Sequence, residues 1–401
     1  MTRVNTSPPF GLYVHIPFCP QRCPYCGFAV VTGNDHLRER YVEALCAELG
    51  QAKKSTTHQR PLDSVFVGGG TPSQLEAEQL DRLLSAVART YGIRDGAEIT
   101  IEANPGESDR IRYADFCRIG FNRISIGAQS FCDASLRRLG RQHSVADILK
   151  AFECATTGGF SNINLDLIFS IPDVAEASWR ASLQSAINLG PQHISTYGLI
   201  IEEGTPFYTR VSEGHLEPLT DDEDARQYRL AIEMLGSSGY VQYEVSNFAQ
   251  SGYRSHHNWG YWTGAEYLGV GLSAHSYAAG VRSWNLKNLT DYLERMESGL
   301  SPKAGEEQID AVTERREAVW LGLRTCDGIE VSEDERLVLV EDSRFRVLVR
   351  DALIHMVDRR LMLTSAGFPL ADALGTEILA MLEKDEIECE TGRRDRAGVI
   401  G

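Results

Sequence analysis

Three cysteines stand close together in the stretch HIPFCPQRCPYCGF, where Cys19, Cys23 and Cys26 are spaced C-x3-C-x2-C. Soft thiolates gathered in one short loop suit either zinc or an iron–sulfur cluster. A structural zinc site takes four ligands, usually as two paired knuckles, and no second Cys or His pair follows nearby; His15, just upstream, would have to bend back. Three thiolates on a four-iron cubane leave one iron open. An open iron can take the amine and carboxylate of a methionine-like ligand, which is the arrangement that S-adenosylmethionine chemistry requires.

The other six of the nine cysteines (Cys46, Cys117, Cys132, Cys154, Cys326 and Cys389) are scattered singly, so a disulfide framework is a poor reading. Cys46 and Cys154 lie in helix-like runs, where a small buried apolar side chain is the simpler role. A chain of 401 residues can bury a large core. Its net charge of −16, from 56 acidic against 40 basic residues, opposes a nonspecific grip on nucleic acid. Any anionic ligand must therefore be met by a local cationic pocket. No apolar run has the character of a signal peptide or the length of a membrane span, and the expected compartment is the cytoplasm.

The cysteine loop follows directly on a predicted strand. Between residue 10 and about residue 240 the pattern predicts six strand-then-helix units. The strands are expected at 10–16, 63–67, 97–103, 122–127, 162–169 and 193–199, and the helices at 37–53, 74–91, 107–119, 145–158, 175–189 and 223–238. Six such units favour an α/β fold in which a parallel sheet curls into an incomplete (β/α)6 barrel. This gives a barrel domain over 1–240, an aromatic-rich extension over 241–300 and a small helical, winged-helix-like domain over 301–401. The last domain includes an amphipathic run, RFRVLVRDALIHMVDRRLMLTSAG, and a further helix near 370–384. The acidic stretch 377–390 argues for a cover over the barrel mouth rather than a DNA-binding surface.

In a βα sheet the loops at the carboxyl ends of the strands converge on a ligand. Gly68, Gly69, Gly70, Thr71 and Pro72 follow the second strand, where missing side chains let backbone carbonyls approach an ammonium group. Glu102 ends the third strand and could pair with the same ammonium. Gln129, after the fourth, offers an amide to a ribose hydroxyl; Arg141 supplies a cation for a carboxylate; Asp166, in the fifth, can accept from a ribose diol. Each also has an ordinary structural reading as a turn, a strand-end carboxylate or a solvated cation.

With Tyr25 ahead of its last cysteine, the loop resembles that of the radical S-adenosylmethionine superfamily, and the likeness runs over about the first 240 residues. The resemblance implies a [4Fe–4S] cluster on Cys19, Cys23 and Cys26 whose electron splits the sulfonium of S-adenosylmethionine into methionine and a deoxyadenosyl radical. The order of features is similar to the HemN-like branch. By that likeness Tyr13, Phe28, Gly69, Gly70, Thr71, Glu102, Gln129, Arg141 and Asp166 would contact S-adenosylmethionine. The oxidases of this branch carry a fourth cysteine where this chain has Phe28, and a longer segment before the first strand.

Both departures resemble the shorter HemW family. So does His257-Asn258-Trp259-Gly260-Tyr261-Trp262, which matches H-N-x-x-Y-W, a signature associated there with haem. The stretch from Tyr240 to Trp284 holds three of the five tryptophans, six tyrosines and three histidines. On residue types alone these form a hydrogen-bonded aromatic core; the resemblance implies instead that His257, Asn258, Tyr261 and Trp262 bind haem, with the axial ligand open among His257, His256 and His275. The implied function is a haem chaperone that passes haem to acceptor proteins. Its alternatives are oxygen-independent coproporphyrinogen oxidation or another radical reaction, which would need an electron donor such as flavodoxin or ferredoxin.

Overall fold

The computed structural model describes residues 9–55, 60–107 and 110–383. The first six strands and their crossovers are β1 (Phe10–Ile16), α1 (Arg38–Ser55), β2 (Leu62–Gly69), α2 (Ala77–Tyr91), β3 (Ile93–Ala103), α3 (Arg110–Ile119), β4 (Arg123–Gln129), α4 (Asp133–Arg138), α5 (Val145–Gly158), β5 (Ile163–Phe169), α6 (Glu176–Leu189) and β6 (His193–Gly198). After them come α7 (Pro206–Ser212) and α8 (Asp221–Ser237). All six predicted strand–helix units are present. Their helices start and stop where the sequence says they should: Ser144 and Thr220 open α5 and α8 as capping boxes with Asp147 and Glu223, and Gly159 and Gly190 close α5 and α6 in the left-handed region. The short α4 and α7 were not anticipated.

Strands β1 to β6 lie side by side in chain order, each parallel to the last. Helices cover the outer face, so β2 and β4 read as nearly continuous buried runs rather than alternating ones. On α2 the core face is Leu80, Leu83, Leu84, Val87 and Tyr91, at helical spacing.

The stretch expected as a separate 241–300 extension is instead woven into this sheet. β7 (Val241–Gln242) and β8 (Asn247–Ala249) continue it beyond β6; after α9 (His256–Trp262), β9 (Glu266–Val270) pairs in parallel with β1 at the other edge. Antiparallel β10 (His275–Ala278), β11 (Val281–Asn285) and β12 (Lys303–Gln308) extend that edge, with α10 (Leu289–Glu297) between the last two. Among the described residues the sheet thus has twelve strands, with β12 and β7 at its two ends. Paired edge strands satisfy backbone groups that an isolated aromatic loop would leave bare.

Among the described residues a second compact unit comprises 310–383 with the short pieces 242–245 and 262–264. Its described elements are α11 (Ala311–Gly322), β13 (Ile329–Glu330), α12 (Glu333–Glu341), α13 (Ser343–Arg350), β14 (Ile354–Val357), β15 (Arg360–Leu363) and α14 (371–383). The amphipathic run beginning at Arg344 is helical only to Arg350. Beyond it the chain makes a β14–β15 hairpin that pairs with β13, because Ile354, Leu361 and Leu363 alternate buried with exposed neighbours at the period of a strand, and Asp358 adopts the positive φ of a turn. Of the acidic stretch 377–390, residues 384–390 lie outside the described residues. Among the described residues no helix is long and apolar enough to cross a membrane.

Candidate functional site

The loop from Pro17 to Val31 is stitched to its neighbours by backbone bonds. The Cys19 N–H donates to the Val31 carbonyl (2.9 Å) and the Val31 N–H to the Pro17 carbonyl (2.8 Å). On the other side the Gly70 N–H reaches the Ile16 carbonyl (2.8 Å) and the Thr71 N–H the Phe18 carbonyl (2.9 Å). Only glycine fits at position 70, since a Cβ there would come within 2.7 Å of the Pro17 carbonyl. The turn after β2 is thereby pressed against the cysteine loop, and Thr71 Oγ1 comes within 3.3 Å of Cys19 Sγ.

Above the carboxyl ends of the strands lies a cavity of about 650 Å³. Its wall includes Cys19, Cys23, Cys26, Phe28, Gly69, Gly70, Thr71, Glu102, Gln129, Arg141 and Asp166. Residues spread over 148 positions of sequence therefore share one chamber, from Cys19 to Asp166. Among the described residues no three His, Cys, Asp or Glu side chains converge as the ligands of a single ion would. Three soft thiolates lining one chamber are a donor set that suits an iron–sulfur cluster. Burial pushes the Cys19 thiol up to about 11 and raises Cys26 as well, with Arg141 acting in the opposite direction. Loading a metal there must displace thiol protons.

The rest of the wall carries half-buried ionisable side chains of both signs. Glu102 accepts the Gly69 N–H at 2.9 Å, yet burial, and then the nearby Asp166, push its carboxyl up to about 7. Asp166 is also raised by burial; it accepts Ser125 Oγ at 2.9 Å and Asn164 Nδ2 at 2.8 Å. Two desolvated carboxyls facing one chamber favour a cationic ligand. Arg141 is half-buried, with its guanidinium 5.8 Å from the Tyr25 ring centre and its Nε lacking a hydrogen-bond partner. A partly desolvated cation of this kind favours an anionic group beside it. At Gln129 the β4–β5 register shifts and φ is 64°, a left-handed conformation uncommon for a non-glycine residue.

Some wall residues were not read from the sequence. Arg123 is almost fully buried, at 1% exposure, and its Nε lies 4.0 Å from Glu98. A lone arginine within the apolar run NRISIG was the signal, because a charge inside a parallel strand has to be paired. Ser125, Asn164 and Asn104 also line the chamber; Asn104 donates to Thr71 Oγ1 at 2.8 Å and so holds the hydroxyl beside Cys19. At the mouth Phe28, Tyr197 and Ile200 are 69%, 40% and 70% exposed.

Four expected residues stand outside this lining. Tyr13 lies behind the wall: its ring stacks on Phe66, a lining residue, and its hydroxyl donates to His15 Nδ1 at 3.0 Å, while His15 Nε2 donates to the Ala29 carbonyl at 2.8 Å. His257 is buried at 4% exposure and also stacks on Phe66, with ring centres 5.2 Å apart. Its Nδ1 is 2.9 Å from Ser64 Oγ and its Nε2 2.8 Å from the Tyr261 hydroxyl. Glu98 holds the start of α9, accepting Ser255 Oγ and the His257 N–H at 3.1 Å and the His256 N–H at 3.0 Å. Tyr261 meets Tyr267 edge to face at 4.7 Å. Asn258 does line the chamber, whereas Trp262 belongs to the second compact unit. The motif thus adopts the hydrogen-bonded aromatic arrangement in this structure, with both His257 nitrogens engaged.

Residues 13–186 match the Radical SAM superfamily. The chain is 36% identical over 378 residues to a protein of Mycobacterium tuberculosis H37Rv named "Heme chaperone HemW", covering 92% of this chain and 95% of that one. It is 32% identical over 372 residues to the "Heme chaperone HemW" of Bacillus subtilis 168, covering 91% and 97% respectively. Among solved structures it resembles coproporphyrinogen III oxidase (HemN) from Escherichia coli with a TM-score of 0.78 and 23% identity, over 94% of this chain and 90% of the other, a likeness of fold.

Proposed function

The chain belongs to the HemW family, in the HemN-like branch of the radical S-adenosylmethionine superfamily, and on that premise we propose that it is a haem chaperone carrying a cluster and S-adenosylmethionine. Cys19, Cys23 and Cys26 would hold the [4Fe–4S] cluster. When bound, the cluster and S-adenosylmethionine supply low-potential electron chemistry at a sulfonium. The chain's own part is to orient and neutralise. Glu102 would meet the ligand ammonium, Arg141 its carboxylate, and Gln129 and Asp166 the ribose, while Gly69 and Gly70 keep the backbone close.

The observation that carries the ligand assignment is the charge pattern of the chamber. Two half-buried carboxyls and one half-buried arginine with an unpartnered nitrogen complement a zwitterionic, sulfonium-bearing ligand. The haem reading rests on the family. Phe28 stands exposed at the chamber mouth where the oxidases carry a fourth cysteine, so porphyrinogen oxidation is the less favoured activity. All described cysteines are free thiols, which suits a reducing cytoplasm. Haem-acceptor proteins are the proposed partners; flavodoxin or ferredoxin would serve as electron donor if the sulfonium is cleaved.

Anaerobic reconstitution with iron and sulfide, followed by hemin titration of the Soret band and transfer to an apo-haemoprotein, tests this function. Saturable haem binding and transfer are expected. Absence of haem binding at micromolar hemin, or conversion of coproporphyrinogen under reductant and S-adenosylmethionine, would overturn it.

A further inference from the structure

We propose that Thr71 and Asn104 tune the reduction potential of the cluster: the Thr71 hydroxyl donates to the Cys19 thiolate, and Asn104 holds that hydroxyl in place. This tuning rests on the reading of Cys19, Cys23 and Cys26 as the ligands of a [4Fe–4S] cluster. The Thr71 side chain thereby has a task distinct from the S-adenosylmethionine contact that the family likeness implies.

The fold brings the hydroxyl to the sulfur and keeps it there. Thr71 Oγ1 lies 3.3 Å from Cys19 Sγ, and the residue is 2% exposed, so bulk water does not compete for the contact. Its backbone is pinned on both sides. The Thr71 N–H donates to the Phe18 carbonyl and the Thr71 carbonyl accepts the Gln74 N–H, each at 2.9 Å. Asn104, the first residue after β3, donates from Nδ2 to the same Oγ1 at 2.8 Å. The loops that follow β2 and β3 therefore meet at the sulfur of the first cysteine.

The direction of the proton follows from counting donors and acceptors. A threonine hydroxyl has one proton and two lone pairs. Asn104 occupies a lone pair. A thiolate that holds iron has no proton of its own and can only accept. The single Thr71 proton must then point at Cys19 Sγ, and the amide behind the oxygen polarises the O–H further. Reduction by one electron, supplied by a donor of the flavodoxin or ferredoxin class, adds negative charge that spreads onto the thiolates. An O–H dipole aimed at Sγ stabilises that charge, so the potential is less negative with the hydroxyl than without it.

Redox titrations of the reconstituted full-length protein, followed by the electron paramagnetic resonance of the reduced cluster, test the assignment. Leaving out S-adenosylmethionine ensures that a lost ligand contact cannot mimic the effect. Thr71→Val keeps the side-chain shape without the hydroxyl; it should retain wild-type iron and sulfide content and titrate at a more negative potential. Thr71→Ser should return toward the wild-type value, and Asn104→Leu should shift in the same direction as Thr71→Val by a smaller amount. Thr71→Val at the wild-type potential, or Thr71→Ser shifted as far as Thr71→Val, overturns the tuning and leaves the cluster reading standing. Should Thr71→Val take up no cluster, Asn104→Leu decides, and a wild-type potential in that variant overturns the tuning equally. If the wild-type protein takes up no [4Fe–4S] cluster, the cluster reading fails and the tuning with it.

Discussion

Ser64 Oγ on β2 and His257 Nδ1 on α9 stand 2.9 Å apart, across 193 residues of chain. The contact fixes the imidazole against Phe66, whose ring forms part of the chamber wall. A residue outside the chamber lining thus braces part of its wall.

Removing the serine hydroxyl leaves a buried imidazole nitrogen unpaired. Ser64→Ala should destabilise the chain by about 1–3 kcal/mol, read as a lower urea midpoint at pH 7 with an unchanged slope. An unchanged midpoint would mean that the hydrogen bond is dispensable.

His257 and His143 both titrate near 4, chiefly because burial penalises their charged forms. An unfolded histidine takes up its proton near 6.5, whereas these do so only near 4. Their contribution to stability is therefore complete above pH 6.5 and is lost as pH falls toward 4. Urea midpoints should fall across that window, and less steeply in His143→Gln.

Glu48 shows the opposite sign. It is buried at 4% exposure and accepts the Gly271 N–H at 2.8 Å, the Tyr292 hydroxyl at 2.5 Å and Asn285 Nδ2 at 2.6 Å, yet burial pushes its carboxyl up to about 7. The folded state holds this proton above pH 4.5, so stability is greatest at acid pH and declines until about pH 7, by a few kcal/mol at most. Glu48→Gln should remove that decline, measured as the difference in unfolding free energy between wild type and variant at pH 5 and pH 8.

Glu102 also rests near 7 in the ligand-free chamber. A bound ammonium would favour its ionised form, so S-adenosylmethionine binding should release protons and strengthen as pH rises through about 7. Calorimetry of the cluster-loaded protein in buffers of different ionisation enthalpy reads that release directly. Glu102→Gln should bind more weakly and lose most of it.

Gly70→Ala drives a Cβ into the Pro17 carbonyl, 2.7 Å away. The expected outcome is a cost of about 1–3 kcal/mol and a cysteine loop that takes up less iron and sulfide on reconstitution. Wild-type iron content in the variant would show that the close approach does not position the cluster ligands.

Much of this protein was legible one segment at a time. The strands and crossover helices of the six βα units and the three-cysteine spacing all depend on neighbours within a few residues, and the structure has each of them. The order of strand-end residues placed Glu102, Gln129, Arg141 and Asp166 on one chamber, because parallel strands in chain order bring their carboxyl ends together.

Other features depended on pairings that no local window contains. The sequence indicated an aromatic extension, but only the tertiary structure set β9 beside β1, sealed His257 between Ser64 and Tyr261, and left His275 at the surface next to Trp284. The run after Arg350 became a hairpin because β13 supplied a partner for it. Periodicity reports which side of an element is apolar. Which distant group meets that side is decided by burial and hydrogen-bond satisfaction over the whole chain, and there the histidines of one short segment acquired different environments.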